Sequence, residues 1–234
     1  MEVQAKEYWF GCRRFKGGEE MKINRISLNW FNNWFLVFIS ILLFTFFILA
    51  FIKPIKKRDW KSLGLYEAFI ISLFTEMFGF PLTIYILSSF FSLPLTIDPL
   101  HGHLLAALIA LTGIWSLENG VIVIMVISII MLFLSGYLII VGWYEIYNAK
   151  GTLVTDGLYG IVRYPQYLGM MIGTAAFLIQ WPTIITVIMW PMLIYAYYQQ
   201  AKKEEKEMEG KFGEKYCQYR QRVPMIIPHL RFKR

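Results

Sequence analysis

Apolar residues in this chain come in long unbroken runs, and the polar residues gather between them. The first run, Trp34 to Ile52, holds no charge over 19 residues. At about 1.5 Å rise per residue, that length crosses a hydrocarbon core of about 30 Å. It is too long for the apolar part of a cleavable signal peptide, no small-residue cleavage site follows it, and the segment Lys53 to Lys61 behind it is strongly basic. A second run extends from Tyr66 to Phe91 and contains Pro81, which removes one helix hydrogen bond and predicts a kink. The third, Val121 to Trp143, is followed by a helical hairpin whose arms, Tyr167 to Ile179 and Thr183 to Tyr198, are joined by Gln180, Trp181 and Pro182. The first arm is short, so it must borrow residues upstream, thin the bilayer or stop short of crossing. Leu104 to Trp115 is apolar over only 12 residues, the length of a re-entrant or interfacial helix, and is not counted as a span. The pattern predicts an all-α, polytopic helical membrane protein with about five transmembrane helices and a C-terminal helical hairpin.

Composition agrees with a membrane setting. Of the 234 residues 57% are hydrophobic and 18% aromatic, and the mean hydropathy is +0.49, whereas a soluble domain is roughly 45 to 50% apolar. Trp34, Trp60, Trp143 and Trp181 stand at the ends of apolar runs, where an amphipathic ring sits at headgroup level. The formal charge is +7, but the basic residues flank apolar runs as insertion requires, and nucleic acid is excluded as the partner. Lys53 to Lys61, Tyr144 to Gln166 and the tail from Ala201 hold 17 of the 23 Lys and Arg. These stretches belong on the cytoplasmic face, and Ser92 to Gly120, with no Lys or Arg, belongs outside. The expected setting is the plasma (inner) membrane of a prokaryote, with the C-terminus cytoplasmic. The first 33 residues carry six basic and four acidic side chains on the face expected to be external, and a start at Met21 would leave only Lys22 and Arg25 there. Cys12 and Cys217, the two cysteines, lie far apart and on opposite sides in this topology, so no disulfide or zinc framework follows.

Ionisable residues inside apolar runs are costly and are therefore the first functional candidates. Glu67 lies near the start of the second run and Glu76 about ten residues in; Glu76 is either a protonated carboxyl bonded to a neighbouring helix or a wall of a substrate pocket. Glu145 ends the third run, where a solvated helix end accounts for it. His101 and His103 are two residues apart with no third ligand nearby, which excludes a metal set and points to a loop-shaping role.

The polar stretch Gly151 to Gly169 carries the strongest signal for chemistry. Pro165 suits the first turn of the helix that follows, since its missing N–H would be unpaired there. Amides of that turn are then open to an anionic or hydroxyl-bearing ligand, with Arg163 beside them as a fixed positive charge. The second hairpin arm runs on past Tyr198 and becomes charged just above the bilayer, so that Glu204 or Glu205 can lean over the same pocket. Beyond it, Phe212 to Tyr219 and the proline-bounded Val223 to Pro228 supply rings and a stiff strand able to close a lid.

Thr152-Leu153-Val154, Gly157-Leu158-Tyr159, the run from Arg163 through Tyr164, Pro165, Gln166 and Tyr167 to Gly169, a two-helix hairpin, Glu204-Glu205, and Phe212 through Tyr216 and Tyr219 to Val223, Pro224 and Pro228 follow one another in fixed order. In these residues, about a third of the chain, the sequence resembles the isoprenylcysteine carboxyl methyltransferase family and its phospholipid methyltransferase relatives. The resemblance implies an enzyme that uses S-adenosylmethionine to methylate a carboxyl, amine or thiol on a membrane lipid or lipid-like acceptor. It implies that Thr152, Leu153, Val154, Tyr159, Arg163, Tyr164, Pro165, Gln166, Tyr167, Glu204 and Glu205 surround the cofactor, with the methyl directed to a lipid-accessible tunnel. Two positions depart from the family pattern: Tyr164 stands where a histidine is usual, and Gln200 where an arginine often precedes the glutamate pair. The chain then divides into a polar segment 1–33, N-terminal transmembrane helices 34–150 and a methyltransferase-like region 151–234.

A carboxylate acceptor needs no base, whereas an amine or thiol must lose a proton, with which Glu76, Glu145 or a tyrosine would assist; no catalytic base is named, and Arg163 and Glu76 are the catalytic candidates. Two rival readings share the same residues: a sterol-reductase-like oxidoreductase holding NADPH, against which no arginine cluster near Arg163 provides for a 2′-phosphate, and a non-catalytic lipid-binding module, for which the Tyr164 and Gln200 departures speak. A transporter is disfavoured by the lack of an internal repeat.

Overall fold

The computed structural model describes residues 31–52, 60–93, 95, 97 and 99–228. The Met21 start, Cys12, the basic residues 53–58, Asp98 and the basic tail 229–234 lie outside them.

The architecture is all helical. Helix α1 spans Trp34–Ile52, matching the first apolar run. The second run is divided into α2 (Trp60–Phe74), a π-helical turn (Thr75–Gly79) and α3 (Leu82–Phe90). The bend between its two halves is 69°. Pro81 is therefore more than a kink: Phe80 is extended, its N–H bonds back to the Thr75 carbonyl, and the helix widens into the π turn before it breaks. Two short helices follow, α4 (Pro99–Gly102) and α5 (Leu104–Leu111); eight residues rise about 12 Å, so α5 does not cross.

Helix α6, Leu117–Asn148, is 32 residues long and extends the third apolar run at both ends. Ser116 caps its start by accepting the Asn119 N–H at 3.3 Å, which satisfies a donor left without an intrahelical partner. The hairpin is as expected, with α7 over Pro165–Gln180 and α8 over Ile184–Phe212. Pro165 occupies the first turn of α7, and Thr183 with Thr186 forms a reciprocal capping box at the start of α8. Gly213, at φ 56°, turns the chain into α9, Glu214–Arg222.

Among the described residues, α6 is long and apolar enough by length and composition to span a bilayer, and so is the bent pair if that pair is taken as one span. The expectation of five such helices is thus met only in part. The sixteen residues of α7 rise about 24 Å, short of a core of about 30 Å, and α8 turns charged from Lys202 onward.

Close packing between α6 and α7 sets the base of the molecule. Ser135 Oγ donates to the Gly169 carbonyl at 2.8 Å, and a Cβ at Gly169 would meet Ile139 Cγ1 at 2.8 Å. Small residues allow this approach where lipid offers no hydrophobic drive between helices. Helix α8 lies against α2, with Phe69, Ile70, Leu73, Leu193, Tyr197 and Ala201 in one buried cluster. Trp181 at the hairpin turn packs edge-on to His103, whose Nδ1 donates to the Gln180 carbonyl at 2.8 Å. His103 thus ties the α4–α5 loop to the turn, the loop-shaping role the sequence suggested.

Candidate cofactor cleft

At the end of the hairpin opposite its turn, the chain between α6 and α7 and the charged end of α8 form a cleft open to solvent. Its floor begins with Gly151, at φ +89°, and continues through Thr152, Leu153 and Val154. Tyr159, Arg163, Tyr164 and Gln166 form one side. Glu204, Met208, Lys211 and Phe212 come from α8, and Tyr216 and Tyr219 from α9.

The loop is held from α6. Both Glu145 oxygens accept the Leu158 N–H, at 3.3 and 3.2 Å, and at Gly157 (φ +60°) a Cβ would sit 2.1 Å from Glu145 Oε1. Glu145 is therefore half-buried and engaged with backbone rather than a solvated helix end. Tyr159 donates its hydroxyl to the Gly142 carbonyl of α6 at 3.3 Å, and its own carbonyl accepts from the Tyr219 hydroxyl at 2.6 Å.

The tail closes over this frame. Arg163 N–H donates to the Pro224 carbonyl at 2.9 Å and Tyr164 N–H to the Met225 carbonyl at 3.1 Å. Val223 to Pro228 is a bent, irregular segment tied to the turn by these two backbone bonds, and not the stiff strand expected from the sequence. Burial, and then the neighbouring Tyr216 hydroxyl, push the Tyr164 phenol well above its ordinary value. Burial likewise raises Tyr159 and Tyr219, so all three phenols stay neutral over any physiological range.

Two acid pairs distinguish the roles of adjacent glutamates. Glu205 Oε1 is 2.5 Å from Arg163 Nη2, with both side chains 8% exposed, and Arg163 Nη1 donates to the Arg220 carbonyl at 2.9 Å. Arg163 borders the cleft, but the fixed positive charge expected there is balanced by Glu205 behind the wall. Glu204 accepts from the Tyr167 hydroxyl at 2.5 Å and is the carboxylate lining the cleft.

Of the eleven residues expected around a cofactor, the structure brings Thr152, Leu153, Val154, Tyr159, Arg163, Tyr164, Gln166 and Glu204 to the cleft surface. Pro165, Tyr167 and Glu205 stand behind it: Pro165 and Tyr167 are buried in the first turn of α7, and Glu205 points to Arg163. Gln200 is buried one turn before Glu204. Met208 and Lys211 were missed because a charged helix end reads as solvated; their spacing from Glu204, four and seven residues on, was the available signal.

Glu76 is removed as a catalytic candidate at this cleft. Its Oε2 accepts the Thr83 N–H at 2.9 Å, and Thr83 Oγ1 accepts the Ile184 N–H at 2.9 Å. That junction lies at the hairpin turn, and the twenty-one residues from Ile184 to Glu204 place it about 30 Å from the cleft along α8. Glu67 accepts from Thr45 at 3.1 Å and also lies outside the lining. No cluster of three metal-ligating side chains occurs among the described residues.

The model of the isoprenylcysteine carboxyl methyltransferase family matches residues 122–210. The C-terminal region is isoprenylcysteine carboxyl methyltransferase-like. The match begins earlier than the motifs suggested, taking in most of α6, and ends before Phe212 to Pro228. Protein-S-isoprenylcysteine O-methyltransferase of Schizosaccharomyces pombe is 32% identical over 82 residues, covering 35% of this chain and 35% of that protein. The Arabidopsis thaliana protein-S-isoprenylcysteine O-methyltransferase B is 31% identical over 77 residues, 32% of this chain and 39% of its own length. The Homo sapiens protein-S-isoprenylcysteine O-methyltransferase is 27% identical over 81 residues, 34% of this chain and 28% of its own. The similar stretch thus spans about a third of these relatives. No solved structure matches the chain.

The residues present fit S-adenosylmethionine. A carboxylate faces the cleft, backbone amides of the α7 first turn lack intrahelical acceptors, and the Tyr164 hydroxyl is buried at the wall.

Proposed function

We propose that this protein is an S-adenosylmethionine-dependent membrane methyltransferase that acts on a lipid or lipidated acceptor. The observation that carries the reading is Glu204. It is the acidic side chain lining the cleft, held by Tyr167, and it lies within the stretch similar to the methyltransferases. S-Adenosylmethionine supplies an activated methyl on a sulfonium, so the transfer is an in-line displacement in which the acceptor bonds the methyl and sulfur keeps the electron pair.

The chain's own work is binding and alignment. Glu204 provides negative charge for the cationic end of the cofactor. The Thr152 to Val154 loop and Tyr159 provide one wall, and Tyr216 and Tyr219 of α9 provide another. Proximity of this kind contributes about 7 to 11 kcal/mol to a displacement. The names of the relatives favour a prenylated cysteine carboxylate as acceptor, a group already ionised at neutral pH, so no catalytic base is assigned.

The proposed setting is an integral membrane protein of about five spans, with α1, the bent α2–α3 pair, α6, α7 and α8 in the bilayer. The cleft and C-terminus face the cytoplasm, and the membrane is the plasma (inner) membrane of a prokaryote. The basic residues of α8 and α9 beside the cleft support that orientation.

The test is calorimetric binding to detergent-purified protein. S-Adenosylmethionine and S-adenosylhomocysteine should bind at micromolar concentrations, and Glu204→Gln should weaken the sulfonium form about tenfold or more, the scale of one lost charge-assisted contact. Binding of NADPH in place of either sulfur compound would replace this reading with the oxidoreductase one.

A further inference from the structure

The cleft is lined by two basic side chains, Arg163 and Lys211. Arg163 is committed, with one guanidinium nitrogen on Glu205 and another on the Arg220 carbonyl. Lys211 is not. Its Nζ donates to the neutral Gly151 carbonyl at 3.3 Å and stands 4.9 Å from the centre of the Phe212 ring, and no carboxylate of the described residues forms an ion pair with it. A cation resting on a carbonyl at a solvent-exposed mouth gains little there. It would gain more from an anion inside the cleft.

Its position is ordered relative to Glu204. Glu204, Met208 and Lys211 follow one another at steps of four and three residues, so they lie along one face of α8 and all three line the cleft. Seven residues of helix separate the acid from the base by about 10 Å. The cleft is thus negative toward the membrane and positive at its mouth. A ligand with cationic groups and a carboxylate at one end meets matching charge in only one direction.

We propose that Lys211 binds the carboxylate of the cofactor's amino-acid end and so fixes the direction in which S-adenosylmethionine enters. This inference rests on the reading given under Proposed function. Lys211 lies outside the stretch matched by the family model, which stops at residue 210. When the carboxylate arrives, Nζ exchanges the Gly151 carbonyl for it, and the clasp between α8 and the floor loop becomes a bridge through the ligand.

The experiment compares S-adenosylmethionine with decarboxylated S-adenosylmethionine, which retains the sulfonium and the amine. Binding of both is measured by calorimetry on the full chain in detergent for the wild type, Lys211→Met, Lys211→Arg and Lys206→Met. Lys206 is an exposed lysine of α8 that does not line the cleft, so its variant reports the effect of net charge alone. The expected result is about a tenfold loss of S-adenosylmethionine affinity in Lys211→Met, no loss for the decarboxylated ligand, near-retention in Lys211→Arg and no change in Lys206→Met. Equal losses for both ligands, or none for either, would overturn the assignment. A wild-type protein that binds neither ligand would sink the cofactor reading itself, an outcome distinct from a Lys211 variant that treats the two ligands alike.

Discussion

Arg163 and Glu205 form an ion pair 2.5 Å long between the loop before the hairpin and the end of its second arm, with both side chains almost wholly buried. The same arginine reaches the Arg220 carbonyl and, through its backbone, Pro224. One residue therefore joins the loop, α8, α9 and the closing segment. A buried pair contributes little over an apolar pair of the same shape, but its rupture leaves a stranded charge.

Removing one member should accordingly destabilise the fold. Arg163→Met and Glu205→Leu are each expected to cost about 3 to 5 kcal/mol. An Arg163→Met/Glu205→Leu double variant should cost less than the sum of the two. Unfolding in detergent, followed by circular dichroism and arranged as a double-mutant cycle, measures this. Additive losses would mean that the two side chains do not act as a pair.

Glu145 makes a second, separable prediction. Because it holds the Leu158 amide, Glu145→Gln should weaken cofactor binding by about fivefold, the scale of one neutral-for-charged hydrogen-bond exchange. The shape of the pH–rate profile should remain unchanged. A shifted acid limb would instead make Glu145 a proton-transferring group.

The α6–α7 contact predicts a rescue. Alanine at Gly173 would place a Cβ 2.6 Å from Ser135 Oγ, and at Gly169 a Cβ 3.0 Å from the Ser135 carbonyl. Each substitution should cost about 1 to 3 kcal/mol by overpacking. Adding Ser135→Ala should recover stability in Gly173→Ala but not in Gly169→Ala, because only the first clash is with the hydroxyl. Thermal unfolding of the four variants decides it.

The phenols set the alkaline limit. Tyr159, Tyr164 and Tyr219 are raised above the ordinary tyrosine value of 10.0, chiefly by burial. A folded-state value above the unfolded one means that the unfolded chain loses its protons first as pH rises. Their contribution is fully present below pH about 10 and is lost above it, toward the folded-state values. Stability should be insensitive to these groups at neutral pH and fall above pH about 10. Tyrosinate absorbance in the folded protein should lag behind that of the denatured chain.

Much of this was legible from apolar run length and local punctuation. The free run from Trp34, the hairpin around Trp181 and Pro165 at a helix start all follow from rules that act within a few residues. The eight residues found together at the cleft were legible as ordered motifs. What was not legible depends on partners distant in sequence. Glu204 and Glu205 are neighbours with the same chemistry, yet one faces the cleft and the other faces Arg163, a division set by the rotation of α8 against the loop. Glu76 drew notice as a charge in an apolar run, but its distance from the cleft depends on which end of the hairpin it packs against. Pro81 announced a break in the second run, but not the contact of α3 with the start of α8 through Thr83.

The central claim is methyl transfer to a lipidated acceptor, and it is tested most directly with purified protein in lipid bilayers, methyl-labelled S-adenosylmethionine and N-acetyl-S-farnesylcysteine. The account predicts label in a base-labile methyl ester of the farnesylated compound, none with N-acetylcysteine lacking the prenyl chain, and at least a tenfold slower rate in Glu204→Gln. Protein that binds the cofactor yet labels neither this compound nor any lipid of the bilayer would contradict it.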